Sequence, residues 1–109
     1  MAFTTQYAEC QPKRTEVDNL EGATLLEFGN DWCGHCRAAQ PLIAAALRAH
    51  PRIRHLKFAD ARHCRLGRSF RVKLWPTLIL LKDGLETARF VRPKDEPVLR
   101  QALAQIDSD

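Results

Sequence analysis

Residues 23–36 read Ala23-Thr-Leu-Leu-Glu-Phe-Gly-Asn-Asp-Trp-Cys-Gly-His-Cys36. The first six form an apolar run between Gly22 and Gly29, interrupted by Glu27. A short apolar run bounded by chain breakers predicts a strand buried on both faces. Asn30 or Asp31 then caps a helix over residues 33–49. Its apolar positions Cys36, Ala39, Ile43, Ala46 and Leu47 fall on one side of a 3.6-residue spiral. Its alanines are strong helix formers, whereas Pro41 removes one internal hydrogen bond and must kink it. His50-Pro51 ends it. The stretch places Cys33 and Cys36 between a strand's carboxyl end and a helix's amino end, where open α/β sheets carry their chemistry.

Beyond this stretch, residues 53–59 predict a second strand. Two strands joined by a long helix are parallel, with a right-handed crossover. Residues 62–70 predict a shorter helix and residues 77–82 a third strand. Asp83-Gly84 is a strong hairpin turn, from which residues 85–91 return antiparallel. Asp95 caps a last helix with the face Val98, Leu99, Ala102, Leu103 and Ile106. Upstream, residues 7–10 suit a short strand and residues 14–20 a short helix. The order is strand, helix, strand, helix, hairpin, helix. It implies an α/β fold, a mixed sheet with helices on both faces. The chain of 109 residues is the size of one domain spanning 1–109.

Composition narrows the function. Apolar residues make up 45% and charged residues 28%, the balance of a soluble globular protein. The net charge is +4, and basic residues crowd between Arg48 and Lys73. They are spread over several predicted elements with no nucleic-acid motif, so no nucleic-acid partner is expected. No stretch approaches the roughly 20 apolar residues of a membrane span. The first ten residues lack a basic segment followed by an apolar run, so the expected location is cytoplasmic. No segment offers a nucleotide-binding glycine pattern, and no cofactor is expected. Cys33 and Cys36 would suit zinc, but a site needs two further ligands. His63 and Cys64 are adjacent and poorly placed to converge, so no metal is expected. Cys10 and Cys64 read as small apolar residues, with a regulatory or resolving role as the alternative for Cys64. His50, His55 and His63 read as structural or surface residues.

The pair itself points to redox chemistry. A thiol of pKa about 8.5 is only about 3% ionised at pH 7, and only the thiolate attacks a disulfide. The first turn of a helix offers unpaired amides and the positive end of its dipole. Cys33 is expected there as the attacking sulfur. Cys36, one turn further in, should be sheltered and displace the substrate afterwards. Gly34 permits a tight, accessible turn. His35 can donate a hydrogen bond or positive charge to the Cys33 thiolate.

These features together resemble the thioredoxin family. Leu25-Leu-Glu-Phe28 followed by Trp32-Cys-Gly-His-Cys36 resembles its central strand and active site. Pro41 stands where the family's helix kink falls. Trp75-Pro-Thr77, the apolar strand and Asp83-Gly84 resemble its cis-proline segment and hairpin. The resemblance implies that Pro76 is cis and packs beside the cysteines, with Trp32 and Trp75 in the substrate groove. It implies that Glu27 is a buried acid relaying protons to or from the buried cysteine. Lys57 is its expected partner on the neighbouring strand. Gly34-His35 and the glutamate are closer to protein disulfide isomerase domains than to reducing thioredoxins. Trp75 is large for its position, and Arg92-Pro93 stands where a glycine is common.

The expected activity is thiol–disulfide exchange on protein disulfides through a redox-active Cys33–Cys36 pair. The chain is read as a monomeric, thioredoxin-like reductant, recharged by a thioredoxin reductase or another thiol donor. The same chemistry run as an oxidant or isomerase is the first alternative. A non-catalytic binding or chaperone module on the same fold is the second.

Overall fold

The computed structural model describes residues 3–107. Four strands form one mixed sheet: β1 (Ala23–Gly29), β2 (Arg54–Ala59), β3 (Thr77–Lys82) and β4 (Leu85–Val91). Their order is β2-β1-β3-β4. β1 pairs parallel with β2 and antiparallel with β3, and β3 pairs antiparallel with β4. The helices are α1 (Arg14–Asp18), α2 (Gly34–Arg48), α3 (Arg65–Ser69) and α4 (Glu96–Ile106).

β1 is central, and its alternating side chains serve two cores. Leu25 packs with Leu78 and Leu80 under α2 and α4, against Ile43, Leu47, Leu99 and Leu103. Leu26 and Phe28 pack on the opposite face with Phe58, Leu66, Phe70, Ile79 and Val17. Each such side chain contributes roughly 1.5–3 kcal/mol when removed from water. The register sets Glu27 opposite Lys57 and Leu25 opposite His55, so all four side chains share the α2 face.

The buried face of α2 is Cys36, Ala39, Ile43, Ala46 and Leu47, the stripe expected from the sequence. Asp95 caps α4 by accepting the Val98 amide at 3.2 Å, although Val98 itself is exposed. Asp83 and Gly84 both take positive φ, as a two-residue hairpin turn requires. No helix among the described residues is long and apolar enough to cross a membrane.

Three expectations need correction. The helix expected over residues 62–70 is only Arg65–Ser69, because Cys64 is its N-cap and its sulfur accepts the Gly67 amide. The strand expected over residues 7–10 reduces to a single parallel bridge between Ala8 and Phe58. Cys10 and Cys64 are not independent apolar residues: they form a disulfide across 54 positions. That bond ties the amino-terminal segment, which covers the β2 edge, to the start of α3. Closing so long a loop restricts the unfolded chain, and the loop-entropy relation gives about 4 kcal/mol.

Cys10→Ser should therefore lower unfolding free energy by about 2–4 kcal/mol, read as a drop in the urea midpoint. An unchanged midpoint would show that the bridge contributes nothing to stability.

Candidate active site

The strand-to-helix join sets the two cysteines in opposite environments. Cys33 is the N-cap of α2, with extended backbone at φ −83° and ψ 122°. Its amide donates to the Asn30 carbonyl at 3.3 Å, and it is partly exposed. Desolvation pushes the Cys33 thiol up, but opposing effects outweigh it. Hydrogen bonds from the Cys36 amide and thiol, the His35 amide and the nearby Arg92 charge together hold it below the ordinary thiol value. Cys36 is 1% exposed. Burial pushes its thiol up to about 11, and Cys33 adds to the rise. The Asn30 amide and the Tyr7 hydroxyl pull it part of the way back.

His35 is exposed and acts on Cys33 through its backbone amide. The side-chain charge acting on Cys33 is that of Arg92. This residue sits at φ +51°. Its Nε donates to the Trp75 carbonyl at 2.9 Å, and its own amide donates to the Pro76 carbonyl.

Beneath the cysteines lies a polar cluster on the α2 face of the sheet. Glu27 has no solvent exposure. A lone buried carboxylate would cost several kcal/mol, so its hydrogen bonds decide whether it is tolerated. His55 Nδ1 accepts the Thr4 amide at 2.8 Å, which leaves the proton on Nε2. That Nε2 donates to Glu27 Oε1 at 2.9 Å. Glu27 Oε2 accepts from the Tyr7 hydroxyl at 3.1 Å and from Gln40 Nε2 at 2.9 Å.

Lys57 faces Glu27 in register, as expected, but reaches it through Gln40. Its Nζ donates to Gln40 Oε1 at 2.7 Å and to the Thr5 carbonyl at 2.8 Å, and it lies 4.3 Å from the Tyr7 ring centroid. Burial holds the Lys57 ammonium below its ordinary value, against the attraction of Glu27, Cys36 and Asp31.

Tyr7 is the residue that touches both halves of the site. Its hydroxyl donates to Glu27, and the Cys36 sulfur borders the same gap above Gly29 as the phenol oxygen. Burial and the negative charges of Glu27 and Cys36 push the phenol far above its usual range, so it keeps its proton. Gly29 makes room for this meeting. A Cβ there would lie 2.6 Å from Cys36 Sγ and 3.0 Å from the Tyr7 oxygen.

The outer rim is apolar. Trp32 is 69% exposed and stands edge-on to Trp75, with ring centroids 5.5 Å apart. The Trp75 indole donates to Asp60 at 2.8 Å, which fixes the ring. The Trp75–Pro76 peptide is cis, as the resemblance implied. Gly34, exposed in the first turn, adds no side chain to this rim. Among the described residues, no group of three or more His, Cys, Asp or Glu side chains is placed to hold a metal ion.

Sequence reasoning missed Tyr7, Gln40 and Gly29, and it treated His55 as structural or surface. Gln40 and His55 carried a readable signal. Gln40 lies one turn beyond Cys36, and His55 alternates with Lys57 on the second predicted strand. Tyr7 carried none, because only the tertiary path of the amino-terminal segment brings it here.

The two sulfurs should separate in a pH series of iodoacetamide labelling read by mass spectrometry. Cys33 labels readily at neutral pH. Cys36, with about one thiolate in 10⁴ at pH 7, becomes reactive only as pH approaches 11. Equal labelling rates at pH 7 would contradict this division.

Comparison with known proteins agrees with the geometry. The family model described as Thioredoxin matches residues 7–105. The thioredoxin of Chlamydia trachomatis serovar D is 33% identical over 84 residues, covering 77% of this chain and 82% of that protein. A protein disulfide isomerase-like 2-3 of Oryza sativa is 29% identical over 97 residues, which cover 85% of this chain and 22% of that protein. The solved structure of reduced thioredoxin 2 from Pseudomonas aeruginosa PAO1 is 52% identical. It superposes with a TM-score of 0.84, covering 95% of this chain and 96% of that one. With the sheet order, the cysteine pair at the head of α2 and the cis Trp75–Pro76 peptide, these matches show that the chain belongs to the thioredoxin family.

Proposed function

We propose that this chain reduces protein disulfides through Cys33 and Cys36. The observation that carries this reading is the opposed setting of the two sulfurs. Cys33 is reachable and held toward thiolate, while Cys36 is enclosed and held toward thiol. The family and fold support thiol–disulfide oxidoreductase activity.

In the first step the Cys33 thiolate attacks one sulfur of a substrate disulfide. The substrate S–S bond breaks, one substrate thiolate leaves, and a mixed disulfide forms on Cys33. Cys36 then loses its proton and attacks Cys33 Sγ, which releases the second substrate sulfur as a thiolate. The chain ends as a Cys33–Cys36 disulfide, and the substrate has gained two electrons. A thioredoxin reductase or another thiol donor returns those electrons. No bound cofactor is required, since the electrons reside in the two sulfurs.

The rim of Trp32 and Trp75 offers the substrate an apolar landing surface around Cys33. The carbonyl of Trp75 is held by Arg92, so an extended substrate segment must compete with that side chain to pair there. This suits a narrower substrate set than that of a general reductant. The proposed setting is the cytoplasm, with the chain acting as a monomer: thiol pools there keep the accessible Cys33 and its partner reduced, while the Cys10–Cys64 bond is shielded from them by the complete burial of Cys64.

One observation favours oxidant or isomerase work instead. The amides of His35 and Cys36 and the Arg92 charge all stabilise the reduced thiolate, which raises the potential. The potential separates the readings. A value near about −270 mV supports a reductant, and one near about −180 mV supports an isomerase.

Cys36→Ser should accumulate a mixed disulfide between Cys33 and a disulfide substrate, visible as a reductant-sensitive band on a non-reducing gel. The double variant Cys33→Ser/Cys36→Ser should trap nothing. Absence of any adduct in the single variant would defeat the proposed chemistry.

A further inference from the structure

Cys36 must lose its proton before it can attack, yet it has almost no contact with water. A buried base in the cluster beneath it is Glu27, whose oxygens are bonded to His55, Tyr7 and Gln40. Of these donors, Tyr7 is the one whose polar atom borders the same gap as the Cys36 sulfur: a Cβ on Gly29 would lie 3.0 Å from the phenol oxygen and 2.6 Å from Cys36 Sγ. Gln40 meets the Cys36 residue at its backbone carbonyl, and an amide N–H is a poor proton carrier. Lys57 is turned toward Gln40 and Thr5.

We infer that the Tyr7 hydroxyl is a catalytic proton relay, carrying the Cys36 proton to Glu27 when the mixed disulfide is resolved. This rests on the proposed exchange reaction and assigns a residue to its second half. Before transfer, the phenol donates its single hydrogen to Glu27 Oε2 and accepts the Cys36 S–H. During transfer, the Tyr7 proton passes to the carboxylate while the Cys36 proton passes to the phenol oxygen. Afterwards Glu27 is a neutral acid that donates to Tyr7, and Tyr7 donates to the Cys36 thiolate. Tyr7 begins and ends protonated, so no phenolate accumulates. One proton has moved from sulfur to carboxylate with no change in total charge. The thiolate then attacks Cys33 Sγ and the substrate sulfur departs with the bonding pair.

The surroundings hold the relay in line. The Lys57 ammonium lies over the Tyr7 ring. Backbone amides fix the segment on either side, Thr4 donating to the His55 ring and Ala8 to the Lys57 carbonyl. The Cys10–Cys64 disulfide anchors it three residues further on. Gly29 supplies the space in which the phenol oxygen and the sulfur come together.

Tyr7→Phe keeps the ring and removes the hydroxyl. Rapid-quench kinetics with a disulfide peptide separates formation of the mixed disulfide from its resolution. The variant should still form the adduct on Cys33 but resolve it about 10²-fold more slowly, the lower end of the usual range for a lost proton-transfer group. Resolution at the wild-type rate would overturn the relay. Absence of any adduct in the wild-type protein would instead defeat the exchange reaction on which the relay rests. Should the variant fail to fold, the resolution rate of the wild-type protein in mixtures of light and heavy water decides the matter. A curved dependence on deuterium fraction reports two protons moving together, as the relay requires. A straight line reports one and refutes it.

Discussion

A carboxylate sealed from water inside the central strand governs this molecule. Glu27 occupies a β1 position whose neighbours Leu25, Leu26 and Phe28 are fully buried, and it has no exposure itself. Burying that charge is costly unless hydrogen bonds replace those of water. The fold assembles three donors around it from three separated places: Tyr7 before the first helix, Gln40 on α2 and His55 on β2. Hydrogen bonds to a charged group are each worth roughly 1.5–3 kcal/mol, enough together to make the position tenable. Removing one donor would leave the others to carry a buried charge, so the cluster is expected to behave as a unit.

That requirement explains why the amino-terminal segment is held so firmly. It contributes one bridge to the sheet, too little for a strand of its own. Its hydrogen bonds run instead to His55, Lys57 and Glu27, and a disulfide fixes its far end. The segment closes the β2 edge and delivers the phenol to the underside of Cys36. The same helix that supplies Gln40 begins with Cys33. One element therefore favours charge on the outer sulfur and, a turn later, encloses the inner one.

Much of this was legible in the sequence. The apolar run of residues 23–28, the one-sided stripe of α2 and the Asp83-Gly84 turn each report local geometry, and each appears in the structure at its expected place. The cysteine pair and the Trp75-Pro76 segment were legible because their spacing constrains backbone and chemistry together. The supporting cluster was much less so. Its members lie 13 to 28 positions from Glu27 in the chain, and nothing in the periodicity around Tyr7 announces its contact with Cys36. The Cys10–Cys64 bond was hidden for a similar reason. Two isolated cysteines 54 positions apart show no pairing until the fold brings them together. Arg92 is an intermediate case. The sequence marks its position as unusual, but only the structure shows its side chain holding the Trp75 carbonyl.

On the proposed route, Glu27 receives the proton that frees Cys36. Single-turnover kinetics of Glu27→Gln, which preserves shape and removes the base, tests this most directly. Cys33 should still form its mixed disulfide, while resolution by Cys36 slows by about 10². Resolution as fast as in the unaltered protein would contradict the account.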